Sequence, residues 1–571
     1  MNYWPPQLLD ELAQAGGLTT AELNLLAQAS REEGESFVRS VIKSGRVAEE
    51  RLLSALARAL RLRFTRLGEG EIDPSVCGRV PTKAVFRHQV MPMRMEDGCL
   101  LVATNDPFDL PMIECLRMAS RSRIRLALSP RSDIQKALKR YYGVGADTLD
   151  ELLQKNVLDL DAAEVGVTKQ DVANDDQEAS VVKFVNQIIA EAYKERATDI
   201  HLEPMENDLR IRYRVDGVLH QVPVPAQLKR FQAAIISRIK VMANMDIAER
   251  RLPQDGRINV RSSGAEIDVR VSTIPTPYGE SVSLRLLMRN SIFLGLDKLG
   301  LSDSDIKIVR KLLDLPHGII LVTGPTGSGK STSLYAFLST INSIDQRIIT
   351  IEEPIEYELP GVNQMQVKPE IGLTFASGLR HILRQDPDVI MVGEIRDLET
   401  AEIAIRAALT GHLVFSTLHT NDAAGAITRL LDMGIEPFLV SSSVEAIIAQ
   451  RLVRTLCPSC KQPYTPPPEL LKEVGYPEAP AEATFYRARG CEDCRFTGFR
   501  GRMGIYEILV MQEALRPLVI ERAPSSAIKR AACAAGMKTL REDGWAKVRM
   551  GLTTIEEVAR VTHEDEALVG S

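Results

Sequence analysis

The stretch Gly318-Ile319-Ile320-Leu321-Val322-Thr323 runs directly into Gly324-Pro325-Thr326-Gly327-Ser328-Gly329-Lys330-Ser331. The short apolar run predicts a buried strand, and Thr332 to Leu338 can continue as a helix. Between them stands the full Gly-x-x-x-x-Gly-Lys-Ser/Thr pattern, in the strand-to-helix setting that it requires. The chemistry of phosphate explains the residue types. Glycines let backbone N–H groups turn inward around phosphate oxygens, and the helix N-terminus adds positive potential. Lys330 can reach the β and γ phosphates of ATP, while the Ser331 hydroxyl can ligate magnesium. Gly324, Pro325, Thr326, Gly327, Ser328, Gly329, Lys330, Ser331 and Thr332 are therefore the candidate nucleotide-binding residues. A glycine-rich turn without a ligand is the plain alternative, and an eight-residue match in context argues against it.

Further along, Asp388-Val389-Ile390-Met391-Val392-Gly393-Glu394 is a second buried strand with a carboxylate at its end. Ligands of open α/β sheets bind at that end, so Glu394 is a candidate magnesium-side acid, acting directly or through water. Ile351-Glu352-Glu353-Pro354-Ile355-Glu356 sets three acids in six residues after another apolar strand. Any one of them alone could be a solvated surface charge; the cluster tilts against that. From about 299 to 455 apolar strands alternate with helices, which predicts a parallel-sheet α/β domain.

With 571 residues the chain exceeds what one core supports, so three or four domains are expected. Residues 1–70 read as a helical domain, with Leu52, Leu53, Leu56 and Leu60 at helical spacing. A weak repeat, Gly16-Gly17-Leu18 with Leu23 and Gly45-Arg46-Val47 with Leu52, reads most simply as two similar capped helices. Residues 71–143 suggest a small α/β domain. Residues 144–178 hold ten Asp or Glu, two Lys and no aromatic residue, the composition of an acidic flexible linker. Some helix is expected at 149–153. Residues 179–298 open on a helix from Val181 to Ala192, and Leu209 to Val215 then alternate with the period of a half-buried strand. Residues 299–571 carry the phosphate loop, a cysteine module at 455–500 and C-terminal helices at 506–571.

Composition narrows the class. Basic and acidic residues number 70 and 76, a net charge of -6 that gives no whole-chain case for nucleic acid. No apolar run approaches the roughly 18 residues of a membrane span. Met1 to Leu9 lack the layout of a secretory signal. A cytoplasmic protein is expected.

Cys457-Pro458-Ser459-Cys460 and Cys491-Glu492-Asp493-Cys494 are two thiol pairs 30 residues apart. Each pair fits a turn that places both sulfurs on one tetrahedral zinc, and four thiolates make a closed structural site. A thioredoxin-type redox motif is the rival, disfavoured by the lack of a βαβ context. The wide separation requires the insert with Pro466, Pro467 and Pro468 to loop out. Cys77, Cys99, Cys115 and Cys533 show no spacing logic and read as core residues.

Leu383-Arg384-Gln385-Asp386-Pro387-Asp388, continuing through Glu394-Ile395-Arg396-Asp397, resembles the signature of the secretion ATPases: the type II secretion "E" proteins and the type IV pilus assembly ATPases. Thr198-Asp199-Ile200-His201-Leu202-Glu203-Pro204 and Arg251-Leu252-Pro253-Gln254-Asp255-Gly256-Arg257 are similar to the family's second N-terminal domain. Thr410-Gly411-His412 and Ser416-Thr417-Leu418-His419-Thr420-Asn421-Asp422 are similar to its histidine box. The resemblance implies a RecA-like P-loop ATPase domain, an α+β, PAS-like second N-terminal domain at 179–298, and small N-terminal docking domains. It implies Glu356 as the general base, with Glu394 on the magnesium side; Glu353 stands where many members have Asp. It also implies a homo-hexamer whose subunits complete each other's sites through Arg270, Arg285, Arg380 and Arg384. His412 and His419 would sense the γ-phosphate, and His201 would serve structure. Ordinary surface arginines and satisfied structural histidines are the alternatives.

Pilus retraction ATPases, similar around the nucleotide, are shorter and lack the cysteine pairs. The expected function is thus a cytoplasmic hexameric motor for type IV pilus or type II pseudopilus assembly, held at the inner membrane by a platform protein that binds its N-terminal domains. A type IV secretion traffic ATPase and a nucleotide-gated scaffold without turnover are the rivals. The cysteine module counts against the first, and intact Lys330, Glu356 and Glu394 against the second. The two Gly-x-apolar repeats lack the Arg-Leu-Gly openings of cyclic di-GMP-binding domains, so that ligand is not expected.

Overall fold

A computed structural model of the chain describes residues 36–562 except 69, 147, 149–169, 263–264, 288–294 and 477–483, together with 19, 21–23, 25, 26 and 28. Gly16, Gly17 and Leu18 of the weak repeat and the helix expected at 149–153 lie outside the described residues, whereas Leu23 joins the same buried cluster as Leu52. The chain forms two compact units, Met1–Leu287 and Met288–Ser571.

The first unit contains two sheets. Strands β1 (Arg63–Phe64), β2 (Met91–Glu96), β3 (Cys99–Thr104) and β4 (Arg123–Leu128) pair in the order β1-β4-β3-β2. The helix Glu49–Ala59 buries Leu52, Leu53 and Leu56, and Leu128 of β4 joins the same apolar cluster. β1 pairs with β4 in parallel, and Arg66 meets the buried Asp133 at 3.2 Å. Chain on both sides of residue 70 therefore builds one sheet.

Strands β5 (Ala197–Pro204), β6 (Leu209–Val215), β7 (Val218–Val222), β8 (Gln254–Ser262), β9 (Ala265–Thr276) and β10 (Gly279–Leu287) form an antiparallel sheet in the order β7-β6-β5-β10-β9-β8. Its apolar side, with Leu209, Ile211 and Tyr213 of β6 at period two, shares a core with Ile188 and Ile235 of the helices Gln170–Lys194 and Gln232–Met242. The helix expected from Val181 thus begins at Gln170. Val144 belongs to this same core, and its N–H donates to the Pro223 carbonyl at 2.9 Å. A Cβ on Gly145 would stand 2.4 Å from the Phe184 ring, so this approach requires glycine. The stretch read as linker from 144 is anchored at its first residues.

The second unit is built on β11 (Gly318–Thr323), β12 (Ile348–Glu352), β13 (Asn363–Gln366), β14 (Val389–Val392), β15 (Leu413–Leu418), β16 (Val444–Leu456), β17 (Gln462–Tyr464), β18 (Phe485–Arg487) and β19 (Phe499–Val510). Seven of these form one sheet in the order β13-β12-β14-β15-β11-β16-β19, parallel except for β19. Helices cover both faces, which is why β11, β14 and β15 are buried at every residue. Ile319 and Leu321 enter one core while Ile320 and Val322 enter the other. Asp397 and Asp422 accept the N–H groups of Thr400 and Gly425, capping the helices Leu398–Leu409 and Ala423–Asp432. Each such cap contributes about 1 kcal/mol.

The remaining strands, β17 and β18, pair as a hairpin, so the insert between the cysteine pairs is an ordered element at its base rather than a plain loop. Its Tyr476 packs on Phe485 and on the buried Trp545 of the helix Leu540–Arg549. Among the described residues, no helix is long and apolar enough to cross a membrane.

Candidate active site

The phosphate loop leaves the carboxyl end of β11 and returns as the helix Lys330–Ile341. Gly327 and Gly329 adopt φ of 81° and 91°, values that disfavour any residue with a Cβ. At Gly324 a Cβ would lie 2.5 Å from the Gln450 carbonyl oxygen and 2.6 Å from Ser328 Oγ. Ser328 Oγ is buried without a hydrogen-bond partner. A backbone cradle with a buried, unpaired hydroxyl and an amine at its base suits an anion of several oxygens. Lys330 is 9% exposed, and its Nζ donates to the carbonyls of Gly324 at 2.8 Å and Pro325 at 3.2 Å. Burial lowers its pKa, Glu394 opposes that shift and Arg451 adds to it. Pro325, Thr326, Ser331 and Thr332 are exposed around the cradle.

Glu394 follows β14. Its carboxylate accepts from Arg396 at 2.6 Å and lies 3.3 Å from His419 Nε2. Burial pushes the Glu394 carboxyl up, but Arg396 and His419 outweigh it and hold the group below the ordinary glutamate value. Arg396 also reaches Glu353 at 3.4 Å. Glu394, Arg396, His419 and Glu353 are thereby brought together at the carboxyl edge of the sheet.

The three acids after β12 have three different settings. Glu352 is 4% exposed and accepts from the Tyr335 hydroxyl, from Thr350 Oγ1 at 2.5 Å and from Gln364 Nε2 at 3.0 Å. Burial raises its pKa against those donors. Glu353 is exposed, apart from its pairing with Arg396. Glu356 is half-buried, and its backbone N–H donates to the Tyr335 hydroxyl at 3.2 Å.

His412 is not brought to the loop within its own chain. Leu413 pairs with Gly318 while Leu418 pairs with Thr323, so His412, six residues before Leu418, stands about 20 Å down the strand from the loop. Its Nδ1 lies 2.9 Å from the Ala407 carbonyl oxygen. Arg380 pairs with Glu399 on the exposed side of the helix Phe375–Ile382, and Arg384 is exposed in the turn after it. Arg270 and Arg285 are register partners on β9 and β10 of the first unit, and Arg285 meets Asp199 at 2.9 Å. His201, on β5, is half-buried, and burial lowers its pKa.

The sulfurs of Cys457, Cys460, Cys491 and Cys494 all lie within 4.8 Å of one another, with three of the pairs at 3.7 Å. Sulfurs at about 2.3 Å from a tetrahedral zinc would be about 3.8 Å apart. The N–H groups of Cys491 and Gly498 donate to Cys494 Sγ at 3.1 and 3.2 Å, which favours the thiolate that a metal requires.

Residues 174–560 match the family model described as "Type II/IV secretion system protein". The chain belongs to the type II/IV secretion system protein family. Residues 60–148 of this secretion-system protein match the MshEN domain. It is 41% identical to the type IV pilus assembly ATPase PilB of Myxococcus xanthus, over 96% of this chain and 97% of that one. It is 43% identical to the type II secretion system protein E of Xanthomonas campestris, over 98% of each. The structure of the Legionella pneumophila ATPase DotB has a TM-score of 0.51 at 22% identity, covering 67% of this chain and 96% of that one, a likeness of fold. As a secretion-system ATPase of this family, with a RecA-like α/β core, the protein is an ATP hydrolase.

Reading the sequence missed several residues of this candidate site. Gln450 on β16 accepts from Ser333 Oγ at 2.7 Å and lies against Gly324 and Gly329. Thr323 Oγ1 lies 2.7 Å from Thr420 Oγ1 and ties the loop to the histidine box. Arg396 carried a signal, being a cation two residues after Glu394. Tyr335 and Gln450 carried none, since a helix tyrosine and a strand glutamine read as ordinary packing.

Proposed function

We infer that the protein is a hexameric, cytoplasmic motor that couples ATP hydrolysis to assembly of a pilin-like polymer, for a type IV pilus or a type II secretion pseudopilus. The observation that carries this reading is the phosphate cradle facing Glu394, Arg396 and His419, in a chain matched almost end to end by PilB and type II protein E. Lys330 and the loop N–H groups bind and orient the triphosphate. Glu356 orients the attacking water, and a carboxylate suits that task because in-line phosphoryl transfer needs a positioned nucleophile and charge stabilisation. Ser331 and Glu394 would hold magnesium, which would neutralise charge on the phosphates. Cys457, Cys460, Cys491 and Cys494 would hold one zinc as a structural brace. Arg270 and Arg285, with Arg380 and Arg384, approach the γ-phosphate bound to a neighbouring subunit. The MshEN-matching region docks the ring on an inner-membrane partner.

A mixing experiment tests the motor. Lys330→Ala and Arg270→Ala each abolish hydrolysis alone, whereas mixed rings recover part of it. Recovery follows because some interfaces in a mixed ring join an intact loop to an intact arginine. No recovery in rings shown to be mixed rejects the trans-acting arginine and the hexameric cycle built on it.

A further inference from the structure

We propose that Tyr335 is a positioning residue for hydrolysis, linking the phosphate-loop helix to the loop that carries Glu356. The proposal rests on the reading of Glu356 as the base. Tyr335 sits in the helix Lys330–Ile341 and is 4% exposed. Its hydroxyl works in both directions, donating to the Glu352 carboxylate and accepting the Glu356 N–H at 3.2 Å. Gln364 on β13 extends the arrangement. Its Nε2 donates to Glu352 at 3.0 Å and to the Tyr357 carbonyl at 2.9 Å, and its Oε1 accepts the Leu359 N–H at 2.6 Å. Two side chains, Tyr335 and Gln364, both bound to Glu352, thus fix the 353–359 loop at Glu356 N, Tyr357 O and Leu359 N.

The chemistry gives the network one stable direction. Burial and the facing Glu352 raise the Tyr335 pKa, so the phenol keeps its proton and remains the donor. Glu352 is enclosed by three donors, and removing one leaves a buried oxygen without its partner. The rings of Tyr335 and Tyr357 meet edge to face at 6.1 Å, so ring packing and the hydroxyl are separable. A base must be held to within a fraction of an ångström of its water. The helix that begins at Lys330 supplies that restraint, so the element that holds phosphate also holds the base loop.

Tyr335→Phe removes one oxygen atom and keeps the ring. The expected result is a kcat lowered about tenfold, with the KM for ATP and the affinity for a non-hydrolysable ATP analogue within about twofold. Gln364→Leu, on a partly exposed edge strand, gives the same split through a second contact. In a Glu356→Gln background Tyr335→Phe has no further effect, because the hydroxyl acts through that residue. An unchanged kcat in Tyr335→Phe, equal losses of binding and turnover, or a full tenfold loss on top of Glu356→Gln overturns the proposal. Wild-type turnover in Glu356→Gln alone overturns the assignment of the base, a separate failure.

Discussion

Glu394 owes its charge to neighbours that outweigh its burial. Arg396 at 2.6 Å and His419 at 3.3 Å hold its carboxyl below the ordinary glutamate value, the charged state that the metal-side role proposed for it needs. Replacing it by glutamine keeps the shape and removes the charge. Glu394→Gln is expected to reduce turnover by about a hundredfold and nucleotide affinity by less than about threefold, and Glu356→Gln to behave alike. Steady-state hydrolysis and equilibrium titration with a fluorescent nucleotide check both; equal losses in the two assays reject the catalytic assignment. At this scale the phosphate loop was legible because its eight residues are contiguous and match one pattern. The inward turn of Glu352 was not, since three neighbouring acids look alike until Tyr335, Thr350 and Gln364 converge on one of them. His412 shows the converse. A histidine in a recognisable box says nothing of which end of a strand it occupies.

The cysteine hairpin is the element where sequence spacing and tertiary packing meet. Two Cys-x-x-Cys pairs were readable as a metal site, but their separation predicted only a loop. The pairing of β17 with β18 and the stacking of Tyr476, Phe485 and Trp545 come from contacts distant in sequence. Purified without chelator, the protein should contain about one zinc per chain. Cys491→Ser, or chelation of the wild type, should lower that content and shift Trp545 emission to the red as water reaches the ring. Trp545 is one of two tryptophans, so a Trp4→Phe background isolates its signal. Zinc-free protein with unaltered emission rejects the brace. The apolar strands needed no such help: β11, β14 and β15 are doubly covered, and the hydrophobic runs of β11 and β14 predicted it.

At the scale of the whole chain, the fold class was legible from the alternation of strands and helices, and the path between domains was not. An acidic, aromatic-free run reads as a spacer, and no pattern in sequence reveals that Val144 at its start and Val181 just after it enter one core. The chain therefore leaves and rejoins the same body across residues 149–169. In mechanical terms the flanking residues that meet in this core form a force path of their own. A pull on the four-stranded sheet passes from the helix Arg131–Tyr142 through the Lys139–Glu191 pair and the Val144–Pro223 bond into the antiparallel sheet. Removing ten residues from within 150–168 should leave membrane-stimulated hydrolysis within about twofold. A flexible Gly-Ser insert between Tyr142 and Gly143 should abolish the stimulation while sparing basal turnover. Assays with and without partner-containing membranes separate the two, and sensitivity to the deletion with tolerance of the insert would reverse the assignment. Slack matters at Gly143, because an insert there would stand in series between the helix Arg131–Tyr142 and the core that Val144 enters.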